Sequence, residues 1–193
     1  MSNLPFLSKI IEKVVCDQIN AFTESHSLDE PLQSAYKKGH STETALVKVQ
    51  NDILLCVDEQ QVVLMALLDL SAAFDTCDHR ILLSRLETQF RISGSALDWF
   101  GSYLRNRSQR VKIKNSLSDP VELITGFPQG SGWGPQAYSK YDGPLGDLLR
   151  LLNVLYHLFA DDTQLLKSLN PSCLDSQVRA FSCLENTISE VAS

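Results

Sequence analysis

The chain has no apolar run near the roughly 20 residues that a membrane helix needs. The densest, Val62 to Leu68, is ended by Asp69, which excludes a membrane-spanning helix and leaves no sign of a membrane role. The start, Met1-Ser-Asn-Leu-Pro, lacks the basic opening and apolar stretch of a secretory signal. Cysteine is sparse: Cys16, Cys56, Cys77, Cys173 and Cys183 are odd in number and include no Cys-x-x-Cys pair. That usage fits reduced thiols in an intracellular compartment, with nucleus and cytoplasm both open. Internal repeats and low-complexity tracts are also missing. Basic charge is short, with 17 Lys and Arg against 23 Asp and Glu and a net charge of −6. Taken alone, this argues against a nucleic-acid binder, whose phosphate contacts come mostly from Lys and Arg. Carboxylates clustered around a metal would add to the acidity without repelling a substrate once the metal is bound.

What is present fits one domain with a real core: 193 residues, 44% apolar and 21% charged. Leu7, Ile10, Ile11, Val14, Val15, Ile19 and Phe22 predict a helix near 8 to 23, and Ala45, Leu46, Val49, Ile53 and Val57 a second after Ser41 and Thr42 as candidate caps. The continuous run from Gln61 to Asp69 predicts a strand buried on both faces or nearly so, the best candidate for a central strand. Helices follow over Ile81 to Phe90, after Asp78 as cap, and over Ser95 to Leu104. A hairpin is expected from Arg110-Val-Lys-Ile-Lys and Val121-Glu-Leu-Ile, with Asn115 to Pro120 between them. Gly126 to Pro135 is too rich in Gly and Pro for regular structure, and a helix resumes after it towards Arg150. Two strands joined at Asp161-Asp162 and a terminal helix from Leu174 to Val191 complete an α+β reading.

Three carboxylates stand out. Asp69 closes an apolar strand, where its backbone is held by a sheet while its side chain meets solvent, a good arrangement for a metal ligand; a helix cap is the plainer role. Asp161 and Asp162 adjoin in a tight turn that Asn-Gly or Asp-Gly would suit better, and a hard divalent cation would relieve their repulsion. If the strand ending at Asp69 lies beside the hairpin bearing Asp161, the three could hold two cations about 3.5 to 4 Å apart. That chemistry serves nucleotidyl transfer and some nucleases alike. The Gly126 to Pro135 loop could lay its backbone, with the amide of Gln129, against a nucleotide or a template base, or could simply precede a helix.

The wording of these segments has a further meaning. Leu67-Leu-Asp-Leu-Ser-Ala-Ala-Phe-Asp-Thr-Cys-Asp-His79 resembles motif A of the reverse transcriptases of non-LTR, LINE-type retrotransposons. Gly126-Phe-Pro-Gln-Gly-Ser131 resembles the start of motif B, and Phe159-Ala-Asp-Asp-Thr-Gln164 resembles motif C, in the family's order. Upstream, Leu32-Gln-Ser-Ala-Tyr-Lys-Lys-Gly-His-Ser-Thr-Glu-Thr-Ala-Leu46 looks like its fingers motif.

The resemblance implies a right-hand polymerase with an antiparallel palm sheet backed by helices: residues 1–60 a fingers-like part, residues 61–193 a palm with inserted fingers elements. It implies an RNA-directed DNA polymerase that adds dNTPs to a DNA primer on an RNA template; protein partners are not indicated. Asp69 and Asp161 would bind two Mg²⁺ ions, or Mn²⁺, with Asp162 assisting. Phe74 would sit under the incoming sugar and exclude a 2′-hydroxyl, with core packing as its rival role. Backbone amides near Ala72 and Ala73 would face the triphosphate, Gln129 and Gly130 would line the nucleotide and template site, and Lys37 or Lys38 would supply a basic fingers residue.

Two departures qualify the match. After Ser131 the family continues with an apolar run, whereas Gly132-Trp-Gly-Pro-Gln-Ala-Tyr-Ser-Lys-Tyr-Asp-Gly143 places glycines and polar residues there, which should weaken a helix and distort the nucleotide pocket. The chain also stops in the helix after motif C, where the family goes on to a primer grip and a basic thumb, and no endonuclease precedes it. The fold is thus expected to be incomplete and the chain inactive alone, with the missing basic surface accounting for the charge. The alternatives are a catalytically dead remnant or interaction module, and a two-metal enzyme such as a nuclease, which would need neither Phe74 nor the Pro-Gln-Gly loop.

Overall fold

The computed structural model describes residues 6–70, 72–128 and 130–192. In chain order the elements are α1 (Phe6–Ser25), α2 (Thr42–Asp58), β1 (Val62–Asp69), α3 (Ala73–Thr76), α4 (His79–Thr88), α5 (Gly94–Leu104), β2 (Ser108–Gln109), β3 (Lys112–Ile113), β4 (Ser116–Leu117) and β5 (Val121–Glu122). They continue with α6 (Gly134–Tyr141), α7 (Gly143–Leu151), β6 (Leu155–Phe159), β7 (Asp162–Leu169) and α8 (Leu174–Val191). Two compact units share them, one built from residues 29–71 and 142–193, the other from 1–28 and 72–141.

The first unit is an antiparallel sheet in the order β1-β7-β6, with helices packed on it. One face buries Leu158, Leu165 and Tyr156 with Leu64, Ala66 and Leu68 against Leu149 of α7 and Leu184 of α8. Burial of these side chains, each worth about 1.5 to 3 kcal/mol, is what fixes the register of the strands. The expectation of a central strand buried on both faces at 61–69 is corrected here. β1 is an edge strand, with Leu67 69% exposed, and the more polar β7 is central. A continuous apolar run marks a strand but does not rank it within a sheet; β7 has the interior place because it pairs with both neighbours and buries Thr163, Leu165, Leu166 and Leu169.

Ser41 caps α2 in a reciprocal capping box with Thr44, as the two adjacent hydroxyl residues suggest. On the sheet's other end of sequence, Arg150 donates to both carboxylate oxygens of buried Glu30, which also accepts from the hydroxyl of Tyr156 at 2.9 Å. Burial first and Glu30 second raise the Tyr156 phenol above its usual range.

The second unit packs α4 against α5 and α6. Its fully buried residues include Leu82, Leu86, Leu104 and Trp133, the last with its ring 4.7 Å from that of Phe100. Asp78 caps α4 by accepting from the amides of Arg80 and Ile81. The hairpin is tighter than expected: β3 and β4 turn at Lys114-Asn115 and the ribbon continues through β2 and β5, so most of 115–120 belongs to the returning arm. Helix does resume, but it begins at Gly134, inside the stretch expected to be irregular, because Ser131 caps it and Pro135 suits a first helical turn, and it comes in two pieces. α6 ends at Tyr141 and α7 begins at Gly143, with Asp142 between them.

Candidate nucleotidyl-transfer site

In the sheet unit, Asp69 is the last residue of β1 and stands in register with Asp162, the first residue of β7, which in turn faces Phe159 of β6. Direct antiparallel partners lie about 4.5 to 5.5 Å apart at Cα and project from the same face. Since Leu68, Thr163 and Leu158 in the next row face the core, the Asp69 and Asp162 row belongs to the opposite face. Both aspartates are exposed, and Asp161 is half-buried in the two-residue turn Ala160-Asp161. Ala160 has φ +55°, a left-handed conformation that costs a residue with a Cβ about 1 to 2 kcal/mol.

Among the described residues, no three His, Cys, Asp or Glu side chains are gathered as a ready metal cage. The donor set still suits Mg²⁺, a hard cation usually held by one or two carboxylates together with substrate phosphates. Asp69 and Asp162 supply two carboxylates on one face, and Asp161 a third in the adjoining turn.

Around that turn, sequence reasoning missed two residues. Gln33 is 5% exposed and hydrogen-bonds the main chain of Ala160, while Tyr36 is close enough to Asp161 for its charge to add to burial in raising the phenol. Both sit in the stretch that looks like the fingers motif, where no periodicity singles them out. Lys37, half-buried, follows in a turn whose carbonyl accepts from the amide of His40.

In the other unit, the second half of the motif A segment is stitched to the start of the motif B segment. The amide of Gly126 donates to Cys77, that of Phe127 to Phe74, and the ring Nε2 of His79 lies 2.7 Å from the carbonyl oxygen of Gly126. A Cβ on Gly126, at φ +77°, would come within 3.0 Å of the main chain of Asp75, so only glycine fits. Phe74 is half-buried, its ring 5.0 Å from that of buried Tyr138 in α6. Ala72, at φ +58°, precedes the single turn α3 that begins at buried Ala73.

Gln129 lies outside the described residues. Gly130 is exposed at φ +81° with open space where a Cβ would be. Beyond it, the hydroxyl of Ser131 accepts from the amides of Trp133 and Gly134, capping α6. Glu12 of α1, 1% exposed, accepts from Gly132 N at 2.7 Å, Tyr103 Oη at 2.8 Å and Ser131 Oγ at 3.3 Å. The segment after Ser131 therefore forms a capped helix anchored by Trp133, which ends at Tyr141.

None of the five cysteines, all of them among the described residues, is joined in a disulfide. Among the described residues no helix is long and apolar enough to cross a membrane.

The chain is 29% identical over 189 residues to a Drosophila melanogaster protein named "Probable RNA-directed DNA polymerase from transposon BS", covering 94% of this chain and 20% of that protein. It is 28% identical over 170 residues to the RNA-directed DNA polymerase from mobile element jockey of the same species, covering 86% of this chain and 18% of that one. The chain thus spans about a fifth of the length of these relatives. In fold it is similar to telomerase from Candida albicans, solved with a fragment of telomeric RNA, at a TM-score of 0.66 and 13% identity over 95% of this chain and 32% of that one. Apo telomerase from Candida tropicalis gives 0.63 and 12% over 95% of this chain and 33% of that one. Residues 1–190 match the family model described as reverse transcriptase (RNA-dependent DNA polymerase), and the chain belongs to that family.

Proposed function

We propose that this chain carries the nucleotide- and metal-binding core of an RNA-directed DNA polymerase that joins a dNTP to a primer 3′-hydroxyl on an RNA template. The observation that carries the reading is the register of Asp69 against Asp162 with Asp161 in the adjoining turn. With two divalent cations, Mg²⁺ or Mn²⁺, such a group supplies the chemistry of two-metal phosphoryl transfer. In this reading Asp69 and Asp161 are the principal ligands and Asp162 assists. Phe74 is the sugar gate, supported by a ring steadied on Tyr138 and a carbonyl bonded to Phe127. The amides at Ala72 and Ala73 open a helical turn, where first-turn N–H groups have no partner within the helix and suit a phosphate oxygen. Gly130 and Gln129 would line the nucleotide and template site, and Lys37 would reach the triphosphate. Residues 1–60 would serve as fingers and 61–193 as palm with inserted fingers elements.

With 17 basic against 23 acidic residues, the chain by itself should hold primer and template weakly and polymerise poorly or not at all. Nucleotide binding is therefore the sharper test. Titration of a fluorescent dTTP and the matching UTP analogue with Mn²⁺ should show metal-dependent binding that prefers the deoxynucleotide. Asp69→Asn should weaken both, and Phe74→Val should narrow the preference. A folded chain that binds neither nucleotide would instead support the remnant reading, and binding indifferent to Phe74→Val would return that ring to core packing.

A further inference from the structure

The turn bearing Asp161 is held from outside its own hairpin. Main chain of the 32–34 segment pairs in parallel with β6, the amide of Leu158 donating to Leu32 at 2.9 Å and that of Ser34 to Leu158 at 3.0 Å. This places the side-chain amide of Gln33 beside the turn. Its Oε1 accepts from the amides of Ala160 and Ala35, both at 3.0 Å, and its Nε2 donates to the carbonyl of Ala160 at 3.2 Å. One buried side chain thus satisfies the donor and the acceptor of the single residue in the turn that has positive φ, as a neighbouring strand would. Strained conformations persist where their surroundings over-determine them. Carboxylates cannot do this work, because a Glu would offer acceptors only.

We propose that Gln33 is a positioning residue: it fixes the left-handed main chain of Ala160 and thereby aims the Asp161 carboxylate for the cation. The metal half of this rests on the reading above; the clamp does not. Outer partners that orient a ligand typically change metal affinity by about 10- to 100-fold when removed.

The test uses the whole chain and Gln33→Met, which keeps the shape and removes all three hydrogen bonds. Amide hydrogen exchange at Ala160 should quicken at least about tenfold, and Mn²⁺ affinity should fall by about tenfold, while exchange in the β1 and β7 core stays as in the parent. Asp161→Asn should lose Mn²⁺ affinity with exchange at Ala160 unchanged, which separates the ligand from its clamp. Exchange at Ala160 unaltered in Gln33→Met overturns the clamp, and faster exchange with parental Mn²⁺ affinity overturns the positioning role. Absence of Mn²⁺ binding in the parent chain overturns the metal reading and with it the aiming of Asp161, and exchange at Ala160 then decides the clamp alone.

Discussion

Asp162 faces Asp69 across the end of the β1–β7 ladder, two carboxylates on one face of a sheet with no basic residue in their row. Like charges placed directly opposite on antiparallel strands are destabilising by about 0.2 to 1 kcal/mol. Without metal, Asp162→Asn should therefore melt at or slightly above the parent temperature. Adding Mg²⁺ should raise the parent melting temperature and leave Asp69→Asn nearly unmoved, because a cation stabilises only the fold that holds it. A parent chain indifferent to Mg²⁺ up to millimolar concentration counts against the site.

His157 gives the sheet unit a pH dependence. Burial first, then the positive charge of Lys48, holds its pKa below 6.5, with Asp52 opposing and His40 adding to the depression. The folded state thus prefers the neutral ring, whose Nε2 lies 3.0 Å from Ser34 Oγ. The associated stability is full above the unfolded pKa near 6.5 and is lost as pH falls through that value towards the folded one. Melting curves between pH 7.5 and 5.5 should fall with acid, and His157→Gln should flatten that slope even if it lowers the whole curve.

Gly126 and Gly39 share a positive φ but differ in surroundings: a Cβ meets the main chain of Asp75 at the first and nothing within 4 Å at the second. Gly126→Ala should cost about 2 to 4 kcal/mol from the backbone conformation plus overpacking, against about 1 kcal/mol for Gly39→Ala. Denaturant unfolding of the two variants checks the difference, and equal losses would contradict the stitching of Phe74 and Asp75 to the Gly126 loop.

Glu12 joins α1 to the head of α6 through Gly132, Ser131 and Tyr103. Glu12→Ala removes a buried carboxylate that accepts from three donors and should destabilise by about 2 to 4 kcal/mol, whereas Tyr103→Phe removes the phenol's bonds to Glu12 and Ser131 but leaves the carboxylate its other two donors and should cost about 1 kcal/mol. A Glu12→Ala loss no larger than that of Tyr103→Phe would mean that the carboxylate is not the hub of the network.

The helices were legible because apolar periodicity and caps such as Ser41 and Asp78 are local signals, and the structure forms both caps. Wording and order revealed the family, and the acidic turn was placed within a residue. Strand rank was not legible: the apolar β1 is at the edge and β7, with Lys167 and Ser168, is inside, since sheet order depends on pairing partners far apart in sequence. The helix after the glycine-rich loop was legible, but its break at Asp142 and its supports were not, because it is held by Trp133 in the core and by Glu12, over a hundred residues upstream. Gln33 escaped for the same reason, its partner Ala160 lying 127 residues away.

The measurement that bears most directly on the central claim is Mn²⁺ binding by electron paramagnetic resonance to the chain and to Asp69→Asn, Asp161→Asn and Asp162→Asn. The account predicts uptake that Mg²⁺ displaces, an affinity loss of about tenfold or more in the first two variants, and a smaller loss in the third. Equal uptake by all four proteins, or none by the folded parent, would contradict it.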